Sequence, residues 1–156
     1  MTEKMKYLED MHAELSQALG EAMWAFAMVE RLTYQYMRKL SSDSLDELMG
    51  GQSFAARIRL IRKLVERLNG QEQTKAIVMA CLRRADQLAD TRNLIAHNPW
   101  QIWIDFDESK YKSEIKKVTN EEKALDLEQV RAFRDDAGEL ASMLECQLAE
   151  LRYPGP

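Results

Sequence analysis

With 156 residues, 46% hydrophobic and 31% charged, the chain has the size of one domain around one core and is too apolar for an intrinsically disordered protein. Nowhere do 18 apolar residues run together and no basic-then-apolar opening is present, so neither a membrane span nor a secretion signal is expected, and a cytoplasmic location follows. The net charge of -4 is uneven: Phe54 to His97 holds nine Lys/Arg against four Asp/Glu, a local +5 against -9 elsewhere, from basic helices packed beside acidic ones or from a phosphate-attracting strip.

Thr2 to about Leu40 reads as one long helix, because Leu8, Met11, Leu15, Leu19, Ala22, Phe26 and Met37 share one face at the helical period. Gly20 is a place for it to bend. Trp24, Met28 and Leu32 lie off that stripe, which suggests two partners: the chain's own core and another subunit. Ser41 to Gln52 is a connector with Gly50-Gly51 near its end and room for one helical turn. Ser53 caps a second helix to about Leu68, with Phe54, Ile58, Ile61, Leu64, Val65 and Leu68 inward, and Asn69-Gly70 ends it. A third helix runs from about Glu72 through Ile77, Val78, Cys81, Leu82, Ala85 and Leu88 to about Ala96, where Pro99 blocks continuation.

The texture then changes. Trp100 to Phe106 is rich in aromatic and β-branched residues, Asp107 to Ser109 turns, and Lys110 to Val118 extends again, which predicts a short β-hairpin. The last helix begins near Asp126, with Gln129 three residues on as in a capping box, and its stripe is Val130, Phe133, Ala137, Leu140, Leu144, Leu148 and Leu151. The expected fold class is all-α: a four-helix bundle with a short β-hairpin inserted before the last helix, one domain over residues 1–152 and a disordered tail at 153–156. Cys81 and Cys146 lack any paired spacing and are expected as buried free thiols.

Charges on a solvated face carry no information; those on an apolar stripe do. Arg92 shares its direction with Cys81, Ala85 and Leu88, Arg57 falls among the apolar residues of the second helix, and Glu30 lies near Met23, Phe26 and Met37. Leaving such groups unpaired in an apolar interior costs several kcal/mol, so Glu30 is expected to pair with Arg57 or Arg92, as a structural ion pair or as part of a substrate site. On an ideal helix Arg92 and His97 point about 140° apart. A site using both therefore requires the helix to end between them or a second chain to complete it.

Arg92-Asn93-Leu94-Ile95-Ala96-His97 resembles the Arg-polar-x-x-x-His signature of HEPN domains. It lies late in a long helix of a helical domain, so the resemblance covers nearly the whole chain as architecture and Arg92, Asn93 and His97 as motif. It implies a metal-independent endoribonuclease without cofactor that acts on RNA as a homodimer, as a toxin partnered by an antitoxin protein or in phage defence. In that scheme Arg92 stabilises the phosphate, His97 transfers a proton and Asn93 orients one or the other. The Tyr that some members carry two residues after the His is replaced here by Pro99, which removes any expectation of control through that Tyr. Members that have lost cleavage and act as scaffolds or RNA binders define the alternative, a helical dimerisation or RNA-binding module, in which Trp100 and Trp103 bind a partner or stack a base. Glu9 and His12 spell Glu-x-x-His, but the second such pair that a di-iron bundle needs is missing, since Leu94 stands three residues before His97.

Overall fold

The chain, described here by a computed structural model covering residues 2–155 apart from the side chain of Glu121, is mostly helical with one small antiparallel sheet. Helix α1, Glu3–Lys39, runs unbroken through Gly20 and is capped by Thr2, whose hydroxyl accepts the Met5 amide at 3.4 Å. The connector holds one turn, α2, Leu45–Leu48, tied back to α1 by Arg38 and Asp46 at 2.7 Å. Ser53 caps α3, Phe54–Glu66, by accepting the Ala56 amide at 3.2 Å. Gly70 and Gln71 both take left-handed backbone angles, φ +68° and +60°, and reverse the chain into α4, Glu72–His97. Asp126 and Gln129 complete a reciprocal capping box, at 2.8 and 2.9 Å, at the start of α5, Leu127–Glu150.

Two expectations need correcting. The inserted element is not a two-stranded hairpin but a three-stranded sheet in the order β1-β2-β3, with β1 at Trp100–Asp105, β2 at Lys110–Lys117 and β3 at Asn120–Asp126, so the fold is not all-α and the description of four helices plus a hairpin is too simple. The third strand, NEEKALD, is charged and lacks β-branched residues; what makes it a strand is pairing with β2, Ile115 opposite Leu125, which overrides its weak local preference. Cys146 lies on the exposed side of α5, off its apolar stripe, whereas Cys81 is buried and its thiol is pushed up by desolvation.

Helix α1 touches α3, α4 and α5, and the core lies where they meet. Phe26 of α1 is 1% exposed and packs against Phe54 of α3 at 5.2 Å and Phe133 of α5 at 6.0 Å between ring centres. Lower down, the buried Tyr36 hydroxyl donates to the Leu144 carbonyl of α5 at 2.8 Å. After Leu151 the chain is held to the start of α4, where Gln71 bonds both backbone groups of Arg152, at 2.7 and 3.0 Å, and Tyr153 packs on the core. Of the tail expected at 153–156, Pro156 lies outside the described residues.

The sheet is anchored by its inner face. Ile115 and Ser113 are buried there, and the Tyr111 hydroxyl donates to Glu14 of α1, which also accepts from Arg131 of α5 at 2.7 Å. Donation by Tyr111 and then by Arg131 holds the Glu14 carboxyl below the usual range, while desolvation and this bond push Tyr111 up to about 12. Because the Glu14 carboxyl titrates lower in the folded chain, its stabilising effect is complete above the ordinary carboxylate range and is lost as pH falls through the folded value. Tyr111→Phe is expected to lower the unfolding free energy by about 1 kcal/mol at neutral pH, allowing for the exposure of Glu14, with a smaller deficit in acid. Urea denaturation of both proteins at the two pH values checks this; an equal deficit at both would contradict it.

Candidate active site at the end of α4

Arg92 sits where the helical period aims it, toward the core, with its side chain 21% exposed. Its charge is met on three sides. Nη2 donates to Glu30 of α1, Nη1 donates to Asn93 Oδ1 at 2.9 Å, and the guanidinium lies 5.4 Å from the centre of the Phe26 ring. Among the described residues, its buried Nε has no hydrogen-bond partner.

Of the two partners expected for Glu30, the structure pairs it with Arg92. Arg57, 6% exposed, is satisfied elsewhere: Nε donates to the Thr33 hydroxyl at 3.1 Å, Nη1 to the Gln52 carbonyl at 2.8 Å, and its guanidinium lies 4.7 Å from the Tyr34 ring. Arg57 thus fastens the connector to α1 and does not reach the α4 terminus.

His97 is the last residue of α4 and is exposed. Together with Asn93 it borders a cleft of about 660 Å³ between α4 and the β2–β3 turn, whose far side carries Lys117, Thr119 and Lys123. Asp90 and Glu122 add two carboxylates to the lining. Arg92 is not among the lining residues. Since α4 continues to His97, the possibility that the helix ends between the two is excluded, and the ideal separation of about 140° applies. Asn93 connects them: its carboxamide oxygen holds Arg92, and it lines the cleft with His97.

Asn98 links the two walls of the cleft. This residue leaves the helix with extended backbone, donates from Nδ2 to the Leu94 carbonyl at 2.8 Å, and accepts the Val118 amide at 3.4 Å. Asn98, Lys117 and Lys123 were not singled out from the sequence. Asn-Pro at a helix end and the Lys116-Lys117 pair were visible signals, but their meeting depends on the third strand. Trp100, expected as a stacking residue, is half-buried against the core, and among the described residues its indole N–H has no partner; the more exposed tryptophan of the sheet is Trp103.

Chemically, the cleft offers an accessible imidazole, a carboxamide, two lysines and two carboxylates facing a space large enough for a nucleotide-sized group. Comparison with protein-family models, with curated proteins and with solved structures finds no match to this chain.

Removing the counter-charge from a guanidinium this deeply set should be felt in stability. Glu30→Gln is expected to cost about 1–2 kcal/mol, less than for a fully buried pair because both side chains keep some contact with water. A double-mutant cycle of Glu30→Gln with Arg92→Gln, read by denaturant unfolding, should return a coupling of about 1 kcal/mol. Strict additivity would show that the pair is incidental.

Proposed function

We propose that the chain is a metal-independent endoribonuclease of the HEPN type, a helical-bundle domain that works as a homodimer, with Arg92, Asn93 and His97 as its catalytic residues. The observation that carries this reading is the placement of His97 and Asn93 on one wall of a cleft whose other wall presents Lys117 and Lys123. A phosphodiester bound between those walls meets the two lysine ammonium groups, set among the Asp90 and Glu122 carboxylates, and a proton-transfer group.

In the proposed reaction the ribose 2′-oxygen attacks the adjacent phosphorus. A bond forms between them as the bond from phosphorus to the 5′-oxygen breaks, leaving a cyclic phosphate and a free 5′-hydroxyl. The imidazole of His97 takes the proton of the 2′-hydroxyl, the imidazolium so formed gives a proton to the leaving 5′-oxygen, and Arg92 of the other subunit meets the charge that builds on the phosphoryl oxygens. A two-fold arrangement brings a second copy of each residue to the interface, and there the Arg92 that a single cleft lacks reaches the phosphate by exchanging Glu30 for it. Asn93, Ala96 and His97 are all exposed along α4, so the outer edge of the motif is open to a second copy. Roles in a toxin–antitoxin pair or in phage defence, with an antitoxin as partner, belong to the same reading.

One observation favours the second reading, a non-catalytic dimerisation or RNA-binding scaffold: within one subunit Arg92 is already neutralised by Glu30. The two separate in the test tube. The ribonuclease should cut RNA in EDTA and leave cyclic or 3′-phosphate ends, and His97→Ala should lower the rate by about 10²–10⁴ without changing the melting temperature. Undiminished cutting by that variant would remove His97 from the mechanism. No cutting by the native protein, with Arg92→Ala chiefly lowering stability, would favour the scaffold. Light scattering at micromolar concentration should give a dimer of the 18.1 kDa chain, and a monomer would contradict the shared site.

A further inference from the structure

The sheet face turned away from the helices carries an arrangement that the cleft chemistry leaves unused. In the β1–β2 register Trp103 lies opposite Lys112 and Gln101 opposite Glu114, so Trp103 shares its face with Lys110, Lys112, Glu114 and Lys116, while Ser113 and Ile115 point the other way into the core. The Nζ atoms of Lys112 and Lys116 stand 5.8 and 5.7 Å from the centre of the Trp103 ring. Both lysines also pair with Glu114, at 2.7 and 3.3 Å, and the Glu114 side chain is only 16% exposed. The indole is therefore held by a Lys–Glu–Lys row, yet it remains 48% exposed. A tryptophan so oriented but left in water gains little from burial.

The surroundings favour an anionic, aromatic occupant over an aliphatic one. Asp105 on the same face is engaged, accepting the amides of Asp107 and Glu108 at 2.9 and 3.1 Å, and Asp126 is engaged in capping α5. Glu114 is covered, so the lysines supply the accessible charge at the ring. Lys116 is followed, across a break in the β2–β3 register, by Lys117, which lines the His97 cleft, so strand β2 itself runs from the indole to the proposed reaction centre.

We propose that Trp103 is a base-stacking subsite for single-stranded RNA, taking up a nucleotide that lies outside the scissile phosphate while Lys112, Lys116 and Lys117 follow the intervening backbone. The subsite rests on the ribonuclease reading for its place in a reaction, though not for the binding itself. Stacking on an open indole face accepts any base, and it requires the base to be unpaired.

The test uses the full chain with His97→Ala, which holds RNA uncut, and a short fluorescein-labelled single-stranded oligoribonucleotide. Adding Trp103→Leu should weaken binding about tenfold, Trp103→Phe should retain most of the affinity because it keeps a π face, and a duplex of the same sequence should respond to neither change. Lys112→Gln should reduce the salt dependence of binding, whereas Trp103→Leu should leave it unchanged. Equal affinity of the Trp103→Leu protein, or an equal loss with Phe and Leu, would overturn the subsite. In the chain with His97 intact, Trp103→Leu should raise KM for the oligonucleotide and leave the cleavage of a dinucleotide unaltered. Cleavage of the oligonucleotide with unchanged KM would reject the subsite and keep the ribonuclease, binding through Trp103 without cleavage would do the reverse, and no binding to RNA would reject both.

Discussion

One guanidinium organises this fold. Arg92 approaches the core at the point where α1 and α4 meet, above the Phe26 ring that also joins α3 and α5 through Phe54 and Phe133. A charge there is tolerable only if it is paired, and Glu30, itself misplaced on the apolar side of α1, supplies the pair. The two anomalies of the sequence thus answer each other. The same interaction sets the rotation of α4 about its axis: with Arg92 turned inward, Asn93 and His97 must face outward, toward the sheet and the solvent.

The sheet makes a surface out of that outward face. Without β3 and the β2–β3 turn, His97 would be one exposed histidine at a helix end. With them it borders a cleft whose opposite wall carries Lys117 and Lys123, and Asn98 fixes the spacing between the walls. The sheet is in turn fastened to α1 and α5 by Tyr111, Glu14 and Arg131. The proposed chemistry consequently depends on contacts spread over most of the chain, though its named residues span only Arg92 to His97.

Most of the helical framework was legible in the sequence because its signals are local. Apolar spacing, the serine before α3, the Asp126–Gln129 box and the Asn69-Gly70 break each act within a few residues, and the observed helices begin and end close to where these features place them. The anomaly of Arg92 on an apolar stripe was legible too. What the sequence hid was tertiary. NEEKALD becomes a strand only because β2 offers it a partner, and Lys117, Lys123 and Asn98 become neighbours of His97 only once that strand forms. The choice of Arg92 over Arg57 as the partner of Glu30 likewise depended on helix packing, since Thr33 and the Gln52 carbonyl satisfy Arg57 first. Cys146 misled because cysteine is so often buried, whereas the helical period places it about 160° from the centre of the α5 stripe, on the solvent side.

The central claim is that Arg92 and His97, which α4 directs apart within one chain, act together across a two-fold interface. Mixing subunits tests it most directly. Arg92→Ala and His97→Ala proteins, each inactive alone, are unfolded together, refolded and assayed for RNA cleavage. A shared site predicts that about one quarter of native activity returns, because half of the dimers are mixed and one of their two sites regains both residues. A mixture as inactive as its components, with mixed dimers shown to be present, would contradict the account.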